Sequence, residues 1–132
     1  MKISKYVAVF LTSLFIGIVL LERVPGVLVA TTEQYESLMF GIFKIWLLDD
    51  ITHGISGLLG AFSLIGGYMW RVRYLMFIGG YYALDATFFL INGFMTGQKF
   101  IDNIVLNGPH IGITVLIIFA LYHSIKKIEL KK

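Results

Sequence analysis

The sequence predicts an all-α integral membrane protein: four transmembrane helices in an up-down-up-down bundle with both termini cytoplasmic. Three observations predict it. Only 14% of the 132 residues are Asp, Glu, Lys or Arg, while 58% are hydrophobic. A soluble domain carries roughly a quarter of its residues as charges, so this chain cannot coat a globule with them. The apolar residues gather into four long runs, and the lysines and arginines fall mostly on one side of those runs. Composition also excludes a soluble enzyme and a disordered tail, and the absence of cysteine excludes a disulfide scaffold.

Crossing about 30 Å of hydrocarbon takes roughly 20 mostly apolar residues in a helix. The first uncharged run is Tyr6 to Leu21, bounded by Lys5 and by Glu22-Arg23, which places a helix over residues 5–24. With the basic residues before it and Val-Leu-Val-Ala after it, the segment also has the outline of a cleavable signal peptide. The run is 16 residues long, long for such a segment, and the reading here is an uncleaved first helix. Pro25-Gly26 ends it and opens an outer loop over 25–46, in which Thr31-Thr32-Glu33 has the form of a helix N-cap followed by an acid. Residues 35–48 are expected either to lie along the outer interface or to lead into the second span as one long helix.

The second run, Ile51 to Trp70, stops at Arg71 and Arg73 and predicts a span over 47–70. The third, from Tyr74 to about Asn92, is broken only by Asp85 and predicts a span over 74–95. The fourth, Asn103 to Ile125, precedes Lys126-Lys127 and predicts a span over 104–125. Strands are excluded as spans because a lipid-exposed strand needs a closed barrel and period-two alternation, which the runs lack. Short connections make consecutive helices antiparallel neighbours.

Lys2, Lys5, Arg71, Arg73, Lys126, Lys127, Lys131 and Lys132 fall on the side of the termini, against Arg23, Lys44 and Lys99 on the other. That asymmetry puts both termini in the cytoplasm of a multi-pass cell-membrane protein. The net charge of +3 is thus an insertion signal, and the partner it implies is the lipid bilayer, not nucleic acid. Tyr6, Tyr68, Trp70, Tyr74 and Trp46 form the aromatic belts of such a protein. A weak echo between the halves (Phe15-Ile16-Gly17 with Phe77-Ile78-Gly79, Asp50-x-x-His53 with Asn107-x-x-His110) leaves open either a parallel duplication or chance similarity.

Polar residues inside the runs carry the functional information, because a charge at the bilayer centre costs several kcal/mol. Asp49, Asp50 and His53 share one face of the second helix, which continues through Ser56, Gly57, Gly60, Ser63 and Gly67. Small residues so spaced let a neighbouring backbone approach closely, or leave room for a flat ligand. Asn103, Asn107, His110 and Thr114 share a face of the fourth helix, with Pro109 marking either a kink or a first turn. On the third helix Asp85 lies near mid-membrane, with Tyr81 or Tyr82 one turn away and Asn92 two turns on. His53 and His110 are expected in the outer half of the bilayer.

Three readings compete. In the first, the groups satisfy one another: Asp85 with a tyrosine or histidine, His53 and His110 with Asp50 and Asn107. In the second, His53 and His110, with Asp49 or Asp50, hold haem or a divalent metal as a membrane redox centre. In the third, Asp85 is the titrating group of a small proton-coupled transporter, which needs a dimer because four helices enclose little space. No nucleophile motif, phosphate loop or paired catalytic carboxylates accompany them. The functional reading is therefore a non-catalytic accessory or ligand-binding bundle, alone, as a homo-oligomer or in a larger membrane complex.

The chain resembles the domain of unknown function 4383 family of small four-helix bacterial membrane proteins. The likeness runs through Pro25-Gly26, Met39-Phe40-Gly41-Ile42-Phe43, Leu48-Asp49-Asp50-Ile51-Thr52-His53 with Gly57 and Gly60, and Leu106-Asn107-Gly108-Pro109-His110. Asp49 stands where the family has a first histidine, Asp50 where it has Asn, and Leu106 where it has Asp, while His53, Asn107 and His110 are kept. The resemblance implies the four-helix architecture, puts the Met39–Phe43 stretch on the second helix, draws attention to the two histidines, and assigns no reaction.

Overall fold

The computed structural model describes residues 2–30, 36–41 and 43–129. Among them are four helices, α1 (Lys2–Leu21), α2 (Leu47–Ile65), α3 (Tyr68–Met95) and α4 (Phe100–Glu129), and three short strands, β1 (Leu28–Ala30), β2 (Glu36–Met39) and β3 (Phe43–Trp46). The helical class holds. Helices α1, α3 and α4 are each long and apolar enough to cross a membrane. With 19 residues, α2 is roughly 28 Å long, and its first turn carries Asp49 and Asp50.

The strands correct the reading of the outer loop. The described residues between 36 and 46 do not extend the second span as one long helix. They complete an antiparallel meander in the order β1-β2-β3, with Val29 opposite Leu38 and Met39 opposite Phe43. Of the Met39–Phe43 stretch, placed by resemblance on the second helix, Met39 and Phe43 pair as the ends of β2 and β3, and Phe40 and Gly41 between them both adopt left-handed backbone angles (φ 53° and 70°). Two successive left-handed residues fit the twist of a tight hairpin and stop any helix there. The N-cap read at Thr31-Thr32-Glu33 lies outside the described residues.

Helix bounds shift as well. The first helix stops at Leu21, leaving Glu22 and Arg23 beyond it. The second ends at Ile65, not near 70, because Gly67 (φ 91°) takes a left-handed turn and the Trp70 ring fills the space beside Gly66. Gly67 therefore leaves the small-residue face of α2. Arg71 and Arg73, read as an inner loop, lie in the first turns of α3, with Arg71 buried. Helix α4 begins four residues before the expected start and carries Pro109 in its interior, so the proline does not mark a first turn.

Helix α1 supplies the centre of the core. Val7, Ala8, Leu11 and Phe15 recur on one face and bury themselves against Tyr74, Leu75, Ile78 and Tyr82 of α3 and Ile117 and Ala120 of α4. Against α2 the contact is made by small residues. A Cβ added at Gly57 would strike Ile16, and one at Gly60 would strike Thr12 and Tyr74. The glycine face of α2 is thus filled by a neighbouring helix, the first of the two readings.

Helices α3 and α4 are fastened at three levels. The Tyr68 hydroxyl donates to the Ser124 carbonyl at 2.9 Å. Ile117 packs into the space left by Gly79. The Asn103 amide donates to the Leu90 carbonyl at 2.9 Å, and its side chain fills the position a Cβ would take on Gly93. The outer face of the bundle is apolar: Leu58, Phe62, Phe77, Leu84, Phe88 and Ile118 are all at least half exposed.

Candidate functional site

At the sheet end of the bundle a cavity of about 360 Å³ lies among α1, α2, α3 and α4, with Met39 and Ile45 of the sheet contributing to its wall. Its volume is that of a small-molecule site. Leu14, Ile18, Phe89, Leu106 and Ile113 give it apolar sides; Asp49 and His53 reach it from α2, Asn92 from α3, and Asn107 and His110 from α4. Five of the residues singled out in the sequence therefore meet in one place, four of them brought there by α2 and α4, which each present a polar face at helical spacing, and Asn92 by α3.

The imidazoles are set by their surroundings. His53 stacks on Phe15 (centroids 5.8 Å apart), Phe15 on Tyr82 (5.3 Å), and Tyr82 leans on His110 (5.4 Å). Phe15 and Tyr82 are fully buried, so the two histidines are held through a rigid aromatic run. His110 also stacks on Phe89 (6.4 Å), and its Nδ1 lies 3.4 Å from Asp85 Oδ2. That is ionic contact without hydrogen-bond geometry, and both His53 Nδ1 and His110 Nδ1 are buried with no hydrogen-bond partner. A buried polar nitrogen left without a hydrogen bond costs about 1–3 kcal/mol, a cost that the packing of the aromatic run carries at both histidines.

Other expected pairings resolve differently. Asp50 does not meet His53; it faces Arg23 at 3.6 Å and the buried Glu22. Burial, followed by the hydrogen bond to the Asp50 carboxyl and its charge, pushes Glu22 up to about 7, against the opposing pull of Arg23. Asn107 does not meet His110; its amide donates to the carbonyl and the side-chain oxygen of Asn103 at 2.9 and 2.8 Å. Asp85 does find a histidine, as one reading expected. Tyr82 belongs to the aromatic run, whereas Tyr81 is exposed and only edges onto it.

Among the described residues no three His, Asp or Glu side chains come together as a metal ligand set. The geometry also gives little support to paired axial ligation of haem, since the histidines are linked through two core rings that a macrocycle would have to displace. Sequence reasoning missed Phe15, Phe89 and Gln98. Phe15 drew notice only as part of a repeat, and its spacing from Leu11 marks core and nothing more. Gln98, beside the α3–α4 turn, is the one of the three with a legible signal, a polar amide next to an apolar span. No family model matches the chain, and no curated protein or solved structure matches it.

Proposed function

We propose that this chain is a non-catalytic integral membrane protein that holds a small, largely apolar ligand in the cavity between its histidines. One observation carries the reading: His53 and His110, from two different helices, line the same cavity beside Asn92 and Asn107. The rest of the wall is mostly aliphatic and aromatic, which selects a molecule with an apolar body and a few hydrogen-bonding groups.

Membrane insertion is supported by the three apolar helices and by an outer surface too apolar for water. An up-down-up-down course is supported by the Tyr68–Ser124 and Asn103–Leu90 bonds, and by Gly57 and Gly60 meeting Ile16 and Thr12 in reverse order. Cytoplasmic termini follow from the distribution of lysine and arginine. On this reading the sheet and the cavity lie toward the outer leaflet, and the likeness to the domain of unknown function 4383 proteins rests on His53, Asn107 and His110.

Because the chain has no cysteine, a single Phe40→Cys or Lys126→Cys variant reports its own side of the membrane. Membrane-impermeant maleimide is expected to label Phe40→Cys on intact cells and Lys126→Cys only after lysis. The cavity is tested with the neutral fluorophore N-phenyl-1-naphthylamine, titrated against the full chain in nanodiscs. A saturable component beyond that of empty nanodiscs, abolished by the space-filling Ile113→Trp, is the expected result. No saturable component in the wild-type protein would overturn the reading.

A further inference from the structure

At the end of the bundle away from the sheet, α3 opens with a buried cation. Arg71 stands four and seven residues before Leu75 and Ile78, on the face that α3 turns into the core. It is only 9% exposed, and its Nε is buried with no hydrogen-bond partner. Among the described residues no carboxylate pairs with it. The Tyr68 hydroxyl, one turn earlier, ties the start of α3 to the end of α4 through the Ser124 carbonyl, which holds this part of the helix in place. A guanidinium cannot shed its charge by losing a proton, and a buried charge without its counter-charge is the strongly destabilising case. Arg71 therefore calls for an anion. Lys2, Lys5, Arg73 and Lys126 are exposed at the same end. The first N–H groups of α3, for which Gly67 supplies no side-chain cap, add partial positive charge.

We infer that Arg71 binds a phosphate group, the headgroup phosphate of an anionic phospholipid in the leaflet at this end of the bundle. The inference rests on the membrane reading above and is independent of the ligand cavity. A planar guanidinium matches two phosphate oxygens at once, and basic pockets between membrane helices take lipid headgroups in this way. A zwitterionic lipid offers the same phosphate but brings its own cation against the basic rim.

Trp70 is the reporter, since it adjoins Arg71, is half exposed and lies under the Arg73 guanidinium at 5.5 Å. Trp46→Phe removes the other of the two tryptophans. With the full chain in phosphatidylcholine nanodiscs, acyl-brominated phosphatidylglycerol is expected to quench Trp70 with a relative association about fivefold above brominated phosphatidylcholine. Arg71→Gln is expected to remove most of that preference, and Lys126→Gln, an equal loss of charge at the same end, to keep most of it. If the two variants lower it equally, the attraction is diffuse and the assignment to Arg71 is overturned. Inorganic phosphate added at constant ionic strength is expected to leave the preference unchanged; if it abolishes the preference, the site takes free phosphate and the lipid assignment falls. If both brominated lipids quench wild type equally, the inference fails and the membrane reading stands. If neither quenches Trp70, the membrane reading falls with it. Should Arg71→Gln not fold, Arg71→Lys, which keeps the charge and loses the planar fork, takes its place with a partial loss expected, and no loss overturns the assignment.

Discussion

Asp85 Oδ2 lies 3.4 Å from His110 Nδ1, a contact that joins α3 to α4 beside the aromatic run and sets the azimuth of the histidine at the cavity wall. Ionisable groups inside membrane helices persist where they pair, and the alternative for each of these is an apolar surround. A double-mutant cycle with Asp85→Asn and His110→Gln, read by reversible unfolding in mixed detergent, is expected to give a coupling of about 1 kcal/mol, in the range of interhelical polar contacts in membranes. A value below about 0.3 kcal/mol would mean that the two sites are energetically independent.

The α1–α2 contact makes a sharper steric prediction. Gly60 faces Thr12 and the Tyr74 hydroxyl with no room for a methyl group, whereas Gly54, six residues earlier on α2, has nothing within 4 Å of the same position. Gly60→Ala is therefore expected to cost about 2 kcal/mol by forcing the helices apart. Gly54→Ala should instead gain up to about 1 kcal/mol from helix propensity alone. Thermal unfolding of the two variants side by side separates the effects, and equal melting temperatures would deny the close approach.

These residues show what the sequence could and could not say. The glycine face of α2 and the asparagine face of α4 were legible because helical spacing alone decides which residues share a side. The meeting of Asp49, His53, Asn107 and His110 in one cavity follows from those faces once α1 and α3 hold the two helices on facing walls. The partner of each polar group was not legible, because pairing depends on azimuths set by core contacts such as Phe15 with Tyr82. Asp50 and His53 lie three residues apart, yet one turns to Arg23 and the other to Phe15. The sheet was hidden for another reason. A run as apolar as Phe43–Trp46 reads equally as helix or strand, and the left-handed pair Phe40-Gly41 decides between them.

Asn103 tests whether the cavity wall depends on a hydrogen-bond network. It is fully buried, donates across to the Leu90 carbonyl of α3 and accepts from Asn107 of its own helix. Asn103→Ala removes the cross-helix bond to the Leu90 carbonyl and one of the two acceptors of the Asn107 amide, at an expected cost of about 1–2 kcal/mol. Thr87→Ala is the control, since that hydroxyl is exposed and bonds only to Ala83 of its own helix, and it should lie within about 0.5 kcal/mol of wild type. Unfolding of both variants under one condition checks the contrast, and a Thr87 effect as large as that of Asn103 would remove the case for a cross-helix tie.

Glu22 makes stability depend on pH, with a definite sign. Its carboxyl is held at about 7 in the folded chain against an ordinary 4.5, first by burial and then by the neighbouring Asp50. Between those values the folded protein keeps a proton that the unfolded chain has released, so stability falls as pH rises. The contribution is complete below about pH 4.5, declines across the interval and is gone above about 7. Water near the end of α1 screens part of it, leaving about 1–2 kcal/mol of the effect. Glu22→Gln keeps the shape and a donor for Asp50 but cannot ionise. It is expected to flatten the dependence of melting temperature on pH between about 5 and 8, and to exceed wild type only at the alkaline end. A variant that melts in parallel with wild type across the whole range would show that the Glu22–Asp50 pair does not hold the proton.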